Sequence, residues 1–336
     1  MESKASIGAS VSCLRSVAPR RFAFVSVMVN NISKNYTNCK ETAQDMSADH
    51  DPKADTLYSQ KGPPTLDEMT GPEVAAALKH TDVLMLPVGA TEAHGAHLPL
   101  GTDSFEAREN CRRAALRLEA LGCPVVLGPV IPFGVSSFHL GFAGTISLSS
   151  DTMIKLLTEV CLSLYETGFR KFALVHGHDG NLPVMMVAAQ DLVDKTADAQ
   201  AMALNWLAPL SKVYHRIQTS EKQEGHGGEG ETARILVTHP ELVRLDRAIR
   251  HHVPPSDMRK IQGAEHIKTG GGIFYATRRY KDHTPYGHIG DPALATEETG
   301  NKGYDVIAEW LARVIARDYF DLDVDPNASL RLDEGD

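Results

Sequence analysis

The sequence predicts an α/β fold: a mainly parallel sheet with helices on both faces, in three α/β/α layers. Two observations carry this. From about Thr65 onward, short β-rich apolar runs alternate with longer amphipathic ones, and βαβα alternation is the mark of a parallel sheet covered by helices. In addition, 42% of the 336 residues are hydrophobic, enough for a substantial core.

The elements follow in order. Asp82 to Val88 (DVLMLPV) reads as a buried strand and Ser104 to Leu121 as a helix. Val125 to Ile131 is the second strand, Ser150 to Thr167 a helix, and Lys171 to Val175 the third strand. Leu182 to Asp194 is a helix and Ala201 to Trp206 the fourth strand. Gly225 to Gly230 (GHGGEG) breaks the pattern, and a helix restarts over Glu231 to Thr238. His251 to Tyr286, rich in Gly, Pro and His, reads as irregular, and Tyr304 to Tyr319 forms a closing helix. No internal repeat is present. The expected organisation is an N-terminal extension over 1–60, flexible or artefactual, one α/β domain over 61–325, and an acidic tail over 326–336.

Composition excludes several function classes. A formal net charge of −9 argues against nucleic-acid binding, which draws its affinity from clustered Lys and Arg. A small-molecule partner is the better expectation. No apolar run approaches the roughly 20 residues of a membrane span. Cys13, Cys39, Cys111, Cys123 and Cys161 are scattered and lack CxxC spacing, which suits a reducing cytoplasm and neither a disulfide scaffold nor a thiolate metal site. Up to Lys40 the only acid is Glu2, against Lys4, Arg15, Arg20, Arg21, Lys34 and Lys40. That bias fits a targeting segment, a loose extension, or translation starting at Met28 or Met46. No GxGxxG opens the first helix, so a dinucleotide enzyme ranks low.

Ligands of open parallel sheets collect beyond the carboxyl ends of the strands, and the unusual residues fall there. Glu92 and His94 follow the first strand, and Asp103 stands near the start of the next helix. His176, His178 and Asp179 follow the third strand, while His226, Glu229 and Glu231 fall in the glycine break. Imidazoles and carboxylates without thiolates suit Zn²⁺ or Mn²⁺. The excess of carboxylates, each able to bridge two cations, suggests a pair of ions. His251, His252, His266, His283 and His288 read as ordinary surface or structural histidines, although the loop TPYGHIGDP could reach the pocket; Asp246 and Arg247 read as a solvated helix end.

Five segments in order, LPVGATEAHGAHLPLGTD, GVSSFHLGFAGTISLS, VHGHDGN, GHGGEGETA and GDPALATEETG, resemble the creatininase, or creatinine amidohydrolase, family. The resemblance spans about Leu86 to Gly300. It implies a creatininase-like fold and two divalent metal ions, Zn²⁺ or Mn²⁺. Glu92, Asp103 and His178 would hold one ion and His94 the other, with Asp103 as the bridge. Creatininase has a glutamate two residues after the metal-binding histidine of the third motif, where this chain has Gly180. Glu231 then becomes the candidate to complete the second site. His226 would be a proton carrier or substrate contact, and His226 or Glu229 would return a proton to the leaving group. His139, His176 and Asp179 would line the substrate pocket. His176 and Asp179 depart from the family's usual residues, which points away from creatinine.

The implied reaction is hydrolysis of a cyclic amide or formamide, with hydroxide shared by the two ions as nucleophile. Ring-opening C–C hydrolysis of an inositol-derived cyclic diketone is the second expectation, and a non-catalytic metal-binding protein the third. The family resemblance also implies a homo-oligomer, as a hexamer.

Overall fold

The structure is a computed structural model that describes residues 63–222, 224–254, 279–282 and 284–330. The 1–60 extension, tail residues 331–336, most of the His251 to Tyr286 segment, His266 and His283 lie outside the described residues.

Four parallel strands form the sheet: β1 (Val83–Val88), β2 (Val126–Leu127), β3 (Lys171–His176) and β4 (Gln200–Leu204). Their spatial order is β2-β1-β3-β4. Leu84 pairs with Val126, Val88 with His176, and Val175 with Leu204. The second strand is much shorter than the Val125 to Ile131 the sequence suggests. Gly128 and Pro129 interrupt the ladder, Pro because it lacks a donor. The chain still tracks β1, with Gly128 N donating to Met85 O at 2.7 Å and Ile131 N to Pro87 O at 2.9 Å.

All six residues of β1 are buried, as expected of a central strand covered on both faces. Alternation divides its side chains. Val83 and Met85 join one core with Cys111, Ala114 and Leu118 of helix α2 (Thr102–Ala120) and Ile307, Leu311 and Ile315 of the last helix. Leu84, Leu86 and Val88 join the other core, with Met153 and Leu157 of α3 (Ser150–Thr167) and Met185 and Leu192 of α4 (Leu182–Lys195). Helix α1 (Gly71–Ala77) precedes the sheet, and α5 (Leu207–Val213) follows β4 on the first face. Helix α6 (Glu229–Thr238) packs on the last helix, α7 (Glu297–Phe320). The three-layer α/β architecture is therefore as the sequence predicts. No described helix is long and apolar enough to cross a membrane.

Helix α7 starts seven residues earlier than the predicted Tyr304. Thr296 caps it by accepting from Thr299 N at 3.1 Å, and Glu297 and Glu298 occupy the positive first turn. Gly300 and Gly303 lower intrinsic helix propensity and mask this start in the sequence. Close packing requires the first: a Cβ on Gly300 would lie 2.2 Å from Ala233 O of α6. Gly300→Ala is therefore expected to destabilise the protein by about 1–3 kcal/mol, the usual cost of overpacking, although alanine is the better helix former by about 1 kcal/mol. A urea midpoint at or above that of the parent protein would show that α6 and α7 do not approach this closely.

Candidate metal centre

The carboxyl ends of β1 and β3 open onto one cluster. The turn after β1 delivers Glu92 and His94, the first turn of α2 delivers Asp103, and the residue pair after β3 delivers His178. Asn181 ties these turns together. Its Nδ2 donates to Gly89 O at 2.8 Å, and its Oδ1 accepts from Val135 N at 2.9 Å. The third-motif segment containing Asn181 was legible, but its latching role was not.

Glu92 is wholly buried, yet neither carboxylate oxygen accepts a hydrogen bond. Its Oε1 lies 3.2 Å from His178 Nδ1, 3.3 Å from His139 Nε2 and 3.7 Å from His226 Nδ1. A buried carboxylate without donors costs several kcal/mol unless a cation compensates it. Asp103 Oδ2 is similarly without a hydrogen bond.

Three imidazoles share one arrangement. His94 Nδ1 donates to Glu92 O at 3.0 Å, His178 Nε2 to Val135 O at 3.1 Å, and His226 Nε2 to Ala93 O at 2.8 Å. A backbone carbonyl accepts only, so these partners assign the tautomers and aim the second nitrogen of each ring at the carboxylates. Metal-binding histidines are held in this way. His94 Nε2 lies 2.9 Å from Asp103 Oδ1 and 3.6 Å from Glu231 Oε2, and His178 Nδ1 lies 3.4 Å from Asp103 Oδ2.

Electrostatics separate the rings into two kinds. Burial alone would push His94 down, but Asp103, with Glu231 and Glu92 behind it, holds it up at about 10. His178 is likewise raised against its burial by Glu92 and Asp103. Burial alone would raise Asp103, but His94 and His178 hold it well below the usual carboxylate range. His226 and His139 move the other way: burial and the neighbouring imidazoles lower both and keep them neutral.

Donor atoms converge in two triads, each within 4.8 Å: Glu92, Asp103 and His178, and Glu92, His94 and His226. The first is the set implied for one ion. In the second, His226 joins where the sequence placed only Glu231. Glu231 borders the same space, its Oε2 accepting from Gly227 N at 2.6 Å. Position 180 cannot serve: a Cβ there would lie 2.2 Å from Val135 O and 2.6 Å from His178 Nε2. Even an alanine would collide, so the glutamate of creatininase has no room here.

Glu229 requires a correction. Its buried carboxylate accepts from Thr219 N at 2.6 Å and Ser220 N at 2.8 Å, so both oxygens are spent on fixing the 219–220 loop. It is a loop anchor, and the expected proton transfer by Glu229 is abandoned. His139 does reach the cluster, with its ring 4.2 Å from His226. His176 and Asp179 form their own pair at 3.0 Å, His176 buried against Trp206 and Asp179 exposed.

Sequence reasoning missed His97 and Tyr280. His97 is buried behind the cluster, within hydrogen-bond distance of Gly227 O and Thr232 Oγ1 at 2.9 and 3.2 Å, and burial with the nearby His288 lowers it to about 4. His288 packs edge-on against His97 and bonds Ile249 O at 2.6 Å. Arg247 is exposed in a short 3-10 turn.

Fold and centre together define an α/β protein with a buried carboxylate–imidazole site suited to divalent metal. The creatininase family, described as creatinine amidohydrolase, matches residues 67–315. A 3-dehydro-scyllo-inosose hydrolase from Thermotoga maritima is 26% identical over 268 residues, covering 74% of this chain and 81% of its own. A mycofactocin precursor peptide peptidase from Mycobacterium ulcerans is 30% identical over 261 residues, covering 76% and 91%. The solved structure "Creatininase Mn" superposes with a TM-score of 0.63 at 23% identity, covering 78% of this chain and 100% of that one, and supports the fold. The chain belongs to the creatininase family and is a hydrolase of that family.

Proposed function

We propose that the chain is a two-metal hydrolase acting on a carbonyl of a small, polar, cyclic substrate, by C–N hydrolysis of a cyclic amide or formamide. Glu92, Asp103 and His178 would hold one Zn²⁺ or Mn²⁺ ion, and His94, Asp103 and Glu231 the other. The observation that supports this best is the buried Glu92 carboxylate, which lacks any hydrogen bond and faces imidazoles locked from behind. Two bound dications supply a water nucleophile near neutral pH and positive charge for an oxyanion.

The chain's own residues then divide the remaining work. His226 is neutral and has its N–H committed to Ala93, so Nδ1 accepts a proton at the cluster and passes it to the leaving group. His139 closes the wall beside it. The exposed Asp179, held by His176 at 3.0 Å, offers an acceptor for substrate hydroxyls.

Similarity to an inosose hydrolase favours a second reading, ring-opening C–C hydrolysis of an inositol-derived cyclic diketone. The same water would add to a ketone instead of an amide. The active form is expected to be a homo-oligomer, a hexamer by family resemblance, in the cytoplasm. Exposed Phe133, Leu140 and Ile146 supply apolar surface compatible with assembly.

A screen of cyclic amides, formamides and cyclic diketones against the full chain, before and after chelation, tests the reaction class. Turnover should vanish on chelation and return with Zn²⁺ or Mn²⁺. Turnover that persists in metal-free protein would contradict the reading.

A further inference from the structure

Tyr280 opens a short 3-10 turn and is only 3% exposed. Its ring lies 4.6 Å from that of His139 and edge-on to His226 at 5.3 Å. Phe138, Phe142 and Ile289 pack with it on the apolar side. Its hydroxyl has no hydrogen-bond partner. Burial first, then the charges of Glu231, Glu92 and Asp179, hold the phenol well above its ordinary range. The phenol therefore remains protonated, on a ring packed against two imidazoles of the cluster.

Leaving a buried hydroxyl unpaired costs about 1–3 kcal/mol, and phenylalanine would fill the same space without that cost. The cost is sensible where a ligand later accepts the hydrogen bond. Around this centre uncommitted donors are scarce, the neighbouring His139 Nδ1 being one other atom without a partner. The carboxylates only accept, and the N–H groups of His94, His178 and His226 are committed to backbone carbonyls. The Tyr280 hydroxyl is an uncommitted donor, on a ring that lies edge-on to His226.

We propose that Tyr280 contacts the substrate, its hydroxyl donating a hydrogen bond to the carbonyl oxygen as that oxygen becomes an oxyanion. The assignment rests on the two-metal hydrolase reading. It adds a donor 188 positions after Glu92 in numbering, outside the motifs that carry the metal ligands. Such a donor supplies stabilisation that grows with negative charge on the oxygen, and it selects for substrates whose reacting carbonyl can lie against the His139, His226 and Tyr280 wall.

The test uses the full chain loaded with Zn²⁺ and acetohydroxamate as an anionic, carbonyl-bearing probe. Metal content, thermal unfolding and probe affinity by calorimetry are measured for the parent protein and Tyr280→Phe. The variant should keep its metal and unfold at the same or a higher temperature, yet bind acetohydroxamate about 10-fold more weakly, as expected for loss of one hydrogen bond to a charged group. A structural role would leave probe affinity unchanged. Equal affinity in the two metal-loaded proteins would overturn the Tyr280 assignment alone. A loss of metal from Tyr280→Phe would also overturn it, because the phenol would then be supporting the metal ligands. Failure of the parent protein to take up metal would overturn the two-metal reading, and this assignment with it.

Discussion

Replacing Asp103 with asparagine is expected to remove metal pairing and turnover together. Its two oxygens face different histidines, Oδ1 lying 2.9 Å from His94 and Oδ2 3.4 Å from His178, the arrangement that a ligand between the two proposed ions needs. The amide keeps the shape and removes the charge. Losing even a residue that merely orients a metal ligand costs about 10–100-fold in affinity or activity, and loss of a bridging ligand should exceed the upper figure. Elemental analysis should show a fall from about two ions per chain to one or fewer, alongside a loss of turnover greater than about 100-fold. Parent-level metal and turnover in Asp103→Asn would remove the bridge from the account.

The second large effect concerns stability. Arg234 of α6 is buried against Glu106 of α2, Nη2 donating to Oε2 at 3.1 Å and Nε lying 3.0 Å from Oε1. Its guanidinium also covers Trp206 at 5.4 Å. Glu106 lies one helical turn after Asp103, and Arg234 three residues after Glu231, so this pair braces two sides of the site. Arg234→Met leaves Glu106 buried without its cation and should cost about 3–5 kcal/mol. For a domain of this size that corresponds to a fall in Tm on the order of 10 °C. Changing Glu106→Leu in the same chain should recover much of the loss, because a buried pair replaced by apolar groups is often neutral. A single variant that loses less than about 1 kcal/mol would show that water reaches the pair.

Most of the fold was legible because each element carries its own period. The continuous apolar run of β1 and the amphipathic runs of α2, α3 and α4 declare themselves locally. The candidate ligands after β1 and β3 could be located for the same reason, since strand ends locate the crevice. Glu229 and Glu231 show what local pattern cannot supply. With the helix begun at Glu231, Glu229 looked like a loop residue free to face the same pocket. Helix α6 begins at Glu229 instead, and two residues along a helix turn a side chain by roughly 200°. One carboxylate therefore faces His94 and the other the 219–220 loop. Tyr280 was illegible on other grounds. It has no spacing relation to the motifs and reaches His139 and His226 only through tertiary packing.

The most direct test of the central claim is the metal content of the purified full chain, measured by elemental mass spectrometry after incubation with Zn²⁺ or Mn²⁺. The account predicts about two ions per chain. A folded chain that holds neither ion would contradict it, leaving the buried Glu92 carboxylate without the cation that its surroundings call for.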